Sequence, residues 1–329
     1  MTYVVSGFSR TSSPATRLVR IGVAGGLTAY ILWTSHPREV LAAAVGADWR
    51  PLITAVLLVL VDRALMAHRW IVLLYTLDPA DRPPLAGIVR IFFVSTFLGT
   101  FLPSVCGDAV RAYGIAKLNM RGGDAVASVF MDRMLGIASL FLMALVGLTL
   151  ARDLAGNWVI VASLGVAAVA CLATLLLVFS QRADGLASMI LMRLPGAVQL
   201  QGLQLLGPVQ RYAAHHAQLV KVLVSSVGVQ ALRILQAYYL GRSLGIEAPL
   251  GIYFAFLPLI LLVMLLPVTM SGLGTGQAAF LWFFARAGVP AAAAVALSML
   301  FIGLGIVGNL PGGMLYAFGG RTPGAREML

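Results

Sequence analysis

Charged side chains interrupt several apolar stretches of this sequence at spacings that could build a polar site. Asp62 and Arg69 lie seven residues apart in the apolar run 51–75. A helix places that pair on one face and directs Arg63 and His68 elsewhere. Asp132 and Arg133 fall inside the run 125–150, and Arg233 is the one charge in the run 219–239 beyond Lys221 at its start. An unpaired charge in such surroundings costs on the order of 3 kcal/mol on insertion scales, so these groups are expected to face protein or water. Arg233 is open to three readings: partner for Asp132, ligand contact, or a side chain reaching for the interface.

Two irregular segments carry the remaining candidates. The first is Leu102-Pro103-Ser104-Val105-Cys106-Gly107-Asp108, followed by Arg111; the second is Leu266-Pro267 with Ser271-Gly272-Leu273-Gly274, followed by Gln277. A helix restarting after each break would present unpaired N–H groups, which attract anions. Gly107-Asp108 and Gly272-Leu273-Gly274 are placed at those starts. Asp108 and Arg111 share a helical face, so they either pair and hold a zwitterionic group, or act as a helix cap and a charge that sets topology. Gln277 is read either as a ligand contact or as an interhelical hydrogen-bonding group.

The elements that must position these residues follow from composition. The 329 residues are 60% hydrophobic and 11% charged, with mean hydropathy +0.93. Soluble domains carry about 25% charged residues. Runs near the roughly 20 residues needed to cross hydrocarbon occur at 51–75, 125–150, 158–179, 219–239 and 291–318. Residues 19–33 form a shorter run after Arg10, Arg17 and Arg20; with no small-residue cleavage site directly after Trp33, a retained anchor is preferred to a cleaved signal.

Lys and Arg outnumber Asp and Glu by 23 to 12. The basic residues scatter through short loops without an aromatic-interleaved patch, which fits the positive-inside rule and argues against nucleic acid. The rule places both termini in the cytoplasm. Cys106 and Cys171 lie in or beside apolar runs, so neither a disulfide framework nor a thiolate metal site is expected. His215-His216 reads as a solvated loop, and no nucleophile motif, phosphate loop or dinucleotide fingerprint occurs. No catalytic residue, cofactor or metal is expected.

The fold class is therefore an all-α polytopic membrane protein, with about six full transmembrane helices plus two broken or re-entrant hairpins. A shift of 165 residues aligns Arg121-Gly122-Gly123-Asp124-Ala125-Val126-Ala127 with Arg286-Ala287-Gly288-Val289-Pro290-Ala291-Ala292, and Met134-Leu135 with Met299-Leu300. Each half reads helix, helix, broken hairpin, helix, and the halves start on opposite sides. The chain is read as one membrane domain, 1–329, with inverted repeats at 17–150 and 157–320 and a basic cytoplasmic connection at 180–217. Inverted repeats with broken helices are common in secondary transporters, whose substrates bind at the repeat interface.

Phe97-Leu98-Gly99 with Leu102-Pro103, Gly107-Asp108-Ala109-Val110-Arg111, Asp132-Arg133, Leu266-Pro267 through Gly272-Leu273-Gly274, Ala287-Gly288-Val289 and Leu310-Pro311-Gly312-Gly313 occur in this order. In these blocks the chain resembles the lysylphosphatidylglycerol synthase transmembrane family, which includes lipid-flipping membrane domains. The resemblance implies a flippase-type protein moving a phospholipid or other polar lipid across the bacterial inner membrane. It departs from the pattern at Gly276-Gln277, where the family commonly has Arg-Glu. The chain ends soon after the last apolar run, so synthase activity is not expected.

The candidate substrate-binding set is Asp62, Arg69, Gly107, Asp108, Arg111, Asp132, Arg133, Arg233, Gly272, Gly274 and Gln277. The expected partners are membrane lipids, with a second copy of the chain or a lipid-synthesis protein as further options. Two competing readings stay open: a membrane enzyme acting on a lipid head group through Asp108 or Asp132, and a non-transporting scaffold of a lipid-synthesis complex. Residue types and spacing leave undetermined the lipid, the direction and energy coupling of transport, and whether the hairpins span fully.

Overall fold

A computed structural model of the chain describes residues 45–77, 82–101, 104–118, 120–150, 207–212, 214–265 and 275–318, with scattered positions between 162 and 173. The described residues form helices and no strands. The main helices are α1 (Trp49–Leu77), α2 (Leu85–Phe101), α3 (Ser104–Ala116), α4 (Gly122–Leu150), α5 (His216–Ser243), α6 (Leu250–Leu265), α7 (Thr275–Ala285) and α8 (Ala291–Phe318). Of these, α1, α4, α5 and α8 are long and apolar enough to cross a membrane. The chain is a polytopic helical membrane protein. The expected runs 19–33 and 158–179, and Leu102-Pro103, Leu266-Pro267, Gly272 and Gly274, lie wholly or largely outside the described residues.

Local sequence explains the helix ends. Asp48 caps α1 by accepting a hydrogen bond at Oδ1 from the Arg50 amide at 3.0 Å. Pro83-Pro84 precedes α2, and Asp124 sits in the first turn of α4, where a carboxylate suits the helix dipole. Gly245 and Gly288 adopt φ of 73° and 74° after α5 and α7. At both, the following amide bonds back five residues, Ile246 to Gly241 at 2.9 Å and Val289 to Phe284 at 3.1 Å, which closes the helix end as a Schellman turn.

Both hairpins were expected to break, and both give two short helices, α2–α3 and α6–α7. One detail differs from expectation. The second arm of the first hairpin begins at Ser104, so Gly107 and Asp108 lie within its first turns and Asp108 is not its cap. Gly107 has a packing reason for being glycine: a Cβ there would lie 2.9 Å from the Gly99 Cα, so the two arms meet backbone to backbone.

The packing of the two halves corresponds helix for helix. Exchanging α1 with α5, α2 with α6, α3 with α7 and α4 with α8 converts each substantial interhelical contact among the described residues into another that is also present. The largest, α1 with α5, maps onto itself, and α4 against α6 maps onto α8 against α2. At these two crossings Gly147 of α4 meets the carbonyl oxygen of Phe254, and Gly312 of α8 meets that of Phe93. Pro258 lacks the N–H that would otherwise bond Phe254 within α6, which leaves that carbonyl available to the crossing.

An aromatic core behind α5, α6 and α7 holds the second half together. Tyr253 packs edge-on against Tyr238 and Phe284 at 5.5 and 5.2 Å, and Phe280 stacks on Phe284 at 5.8 Å. In the first half Trp70, Ile88, Phe92 and Ile115 are fully buried between α1, α2, α3 and α4. Between these cores the helices part around a cavity.

Candidate functional site

The cavity occupies about 430 Å³ and is bounded by α1, α2, α3, α4, α5, α6 and α8. One wall is charged, with Arg69, Asp108, Arg111, Asp132, Arg133 and Arg233; another is apolar, with Met264, Leu265, Phe301, Ile302 and Ile306. Asp132 lies nearly three turns, about 15 Å, into the 29-residue α4, so the charged wall sits inside the span.

Asp132 is 5% exposed and is shared by two arginines. Arg69 of α1 donates from Nε to Oδ1 at 2.7 Å, and Arg111 of α3 donates from Nη1 to Oδ2 at 3.2 Å. Charge-assisted pairs of this kind repay the cost of burial only when the remaining donors are also satisfied. Further donors are met here: Arg69 Nη1 donates to Ser226 Oγ at 3.0 Å, and Arg111 reaches Ser95 and Thr96 hydroxyls at 3.4 Å each. The Arg111 guanidinium also lies 5.1 Å from the Trp70 ring and 4.8 Å from that of Phe92, within cation–π range.

A second ion-pair layer lies about 10 Å away, since Asp62 and Arg69 are two helical turns apart, and there neither Asp62 oxygen accepts a hydrogen bond among the described residues. Asp62, 1% exposed, lies 3.3 Å from Arg63 Nη1 and 3.5 Å from Arg233 Nε. Asp108 and Arg133 form a third pair at 3.2 Å, with side chains 27% and 33% exposed at the cavity.

These pairings correct two expectations. Asp108 and Arg111 share a face of α3 yet bind different partners across to α4, because α4 brings Arg133 and Asp132 successively against that face. Arg233 pairs with Asp62 rather than Asp132, because α5 packs most extensively along α1. The described members of the candidate set otherwise converge: Arg69, Gly107, Asp108, Arg111, Asp132, Arg133 and Arg233 line the cavity, and Asp62 stands behind Arg233. Gln277 on α7 is half-buried and not part of the lining.

Several polar members were not anticipated. Gln230 donates to Ser139 Oγ at 3.3 Å, and Asn309 donates to Thr100 Oγ1 at 2.7 Å. Both amides line the cavity, and their oxygens accept no hydrogen bond among the described residues. An uncharged amide within an apolar span is costly to leave unpaired, and that cost was the available signal for Gln230 and Asn309. Ser95, Thr96 and Ser226 gave none, since their hydroxyls bond carbonyls of their own helices and such back-bonding needs no site.

At one end of the bundle a further polar cluster joins elements. Arg211 pairs with Asp124 at the start of α4, and the Tyr212 hydroxyl donates to the Leu73 carbonyl at 3.0 Å near the end of α1. Burial, and then the Asp124 carboxylate, push the Tyr212 phenol well above its ordinary pKa. At the other end the Asp48 amide bonds Ser243 at 2.9 Å.

Fold and cavity define a class: a multi-pass helical membrane protein with a charged chamber inside its spans. A family model described as the lysylphosphatidylglycerol synthase TM region matches residues 17–312, and the chain belongs to that family. A comparison with curated proteins found no match.

Proposed function

We propose that this protein is a lipid translocase, moving a polar lipid between the leaflets of the bacterial inner membrane without a chemical step. The observation that carries the reading is the two-faced cavity, which sets buried arginines and aspartates against an apolar wall. That polarity matches an amphiphile. A head group crossing about 30 Å of hydrocarbon meets a large desolvation cost, and compensating charges along its path lower it. The two charged layers, separated by two turns of α1, are successive stations on such a path.

The corresponding contacts of the two halves support an inverted repeat, the architecture in which one half rocks against the other around a central site. Gly147 and Gly312 are separated by the same 165 residues as the aligned sequence blocks. Positive-inside asymmetry supports cytoplasmic termini, which puts the Asp124–Arg211 end on the cytoplasmic side. Family membership supports a lipid substrate.

The test is lipid translocation in liposomes containing only this protein, with labelled anionic, zwitterionic and lysyl-modified lipids. The unmodified chain is expected to move at least one of them, and Arg133→Gln, whose partner Asp108 also faces the cavity, to slow that movement about tenfold or more while unfolding at a similar temperature. Absence of movement for every lipid overturns the autonomous translocase.

A further inference from the structure

Within the translocase reading, we infer that the cavity selects a head group of net negative charge that carries both a phosphate and hydroxyls, and that it disfavours cationic head groups. The charge count is the first ground. Arg63, Arg69, Arg111, Arg133 and Arg233 are paired with only three carboxylates, Asp62, Asp108 and Asp132, an excess of two positive charges. Arginine does not shed its proton at physiological pH, so burial cannot remove that excess. Each excess charge held within the span is unfavourable until an anion meets it.

Geometry indicates where the anion sits. Arg69 and Arg111 already direct donors at Asp132, Ser226, Ser95 and Thr96. Arg133 and Arg233 are the more exposed cavity arginines, with side chains 33% and 24% exposed. They come from α4 and α5 and line the same cavity, where each guanidinium can offer a phosphate its planar fork, the recognition at which arginine excels.

The second ground is the pair of unpartnered amide oxygens. Gln230 Oε1 and Asn309 Oδ1 are buried acceptors lining the same cavity. Such acceptors recover their lost hydration from a donor on the ligand. A phosphate has no such donor at a diester, whereas a glycerol or sugar group beside it has several. A cationic head group could supply donors as well, but it would add to the positive excess.

Binding separates this inference from translocation. Full-length protein in nanodiscs of neutral lipid is titrated with phosphatidylglycerol, phosphatidylcholine and lysyl-phosphatidylglycerol, with inorganic phosphate and glycerol 3-phosphate as competitors. Phosphatidylglycerol is expected to bind at least tenfold more tightly than the other two lipids, and glycerol 3-phosphate to compete better than inorganic phosphate. Arg133→Gln and Arg233→Gln should each cut the preference about fivefold or more, and Gln230→Met or Asn309→Leu should weaken phosphatidylglycerol without improving phosphatidylcholine.

Equal binding of the three lipids, or tighter binding of the lysyl lipid, overturns the inference, and the unmodified chain alone decides this if a variant fails to fold. Displacement of phosphatidylglycerol by inorganic phosphate as readily as by glycerol 3-phosphate overturns the hydroxyl requirement and assigns the site to a bare anion. Preference without transbilayer movement removes the translocase reading and upholds this one; movement without preference does the reverse.

Discussion

Asp132 on α4 bridges two arginines from different helices, holding Arg69 of α1 at 2.7 Å and Arg111 of α3 at 3.2 Å. One carboxylate therefore joins a long membrane span, the second arm of the first hairpin and the last helix of the first half. The same two-to-one ratio recurs at Asp62 with Arg63 and Arg233, which ties α1 to α5. These shared carboxylates hold the charged wall in place and leave it cationic.

Removing Asp132 should consequently be severe. Asp132→Asn leaves two buried guanidinium groups facing each other, and breaking a buried pair costs about 3–5 kcal/mol. Thermal unfolding in detergent is expected to fall markedly for Asp132→Asn and much less for Asp108→Asn, whose carboxylate is more exposed. Equal destabilisation of the two would show that Asp132 is not the structural bridge.

Arg111 is expected to resist replacement by lysine. Its fork reaches Asp132, Ser95 and Thr96 while its plane lies beside Trp70 and Phe92. A lysine keeps the charge but cannot make these contacts together. Arg111→Lys should lose on the order of 1–3 kcal/mol of stability, the range for a buried polar group left without its partner. Unchanged thermal unfolding would mean that charge alone serves at this position.

How far the site could be read in advance depended on the chemistry of each residue. Charges inside apolar runs announce themselves, because lipid forces them to find partners or water; that logic identified Asp62, Arg69, Asp132, Arg133 and Arg233. Who pairs with whom was not legible. Asp108 and Arg111 sit on one face of α3, and only the placement of α4 decides that each bonds across rather than to the other. The proline and glycine breaks located both hairpins, but the first break is shorter than composition indicated, since Ser104 already begins α3. Thr100 gave no such signal, and its part emerges only where α2 meets α8 and its hydroxyl accepts from Asn309 at 2.7 Å.

The two glycine crossings yield a paired prediction. A Cβ at Gly147 or Gly312 would collide with a backbone carbonyl, which cannot swing aside as a flexible side chain can. Gly147→Ala and Gly312→Ala should each cost about 1–3 kcal/mol, as overpacking does. Gly303 on α8 faces open space, so Gly303→Ala should be neutral or slightly stabilising because alanine is the better helix former. Detergent unfolding of the three variants checks this, and a tolerant Gly147 or Gly312 would mean the crossings are looser than described.

The last prediction concerns pH at the polar end of the bundle. Tyr212 lies outside the spans, its hydroxyl donates to Leu73 and it is buried beside Asp124, so folding raises its pKa above the ordinary 10.0. The folded state therefore keeps a proton that the unfolded chain releases, and stability falls with rising pH wherever the two differ in bound protons. The contribution of the neutral phenol is fully present below about pH 10 and is lost as pH climbs towards the folded value. Tyr212→Phe should cost about 1 kcal/mol near neutrality, the net worth of one buried hydrogen bond. Above about pH 10 the gap between the two proteins should close, because phenylalanine has no proton to lose while the unmodified chain is losing stability through its phenol. Unfolding midpoints of both proteins from pH 7 upward test the sign directly, and a gap that widens with pH would show that Tyr212 is not held neutral by its burial.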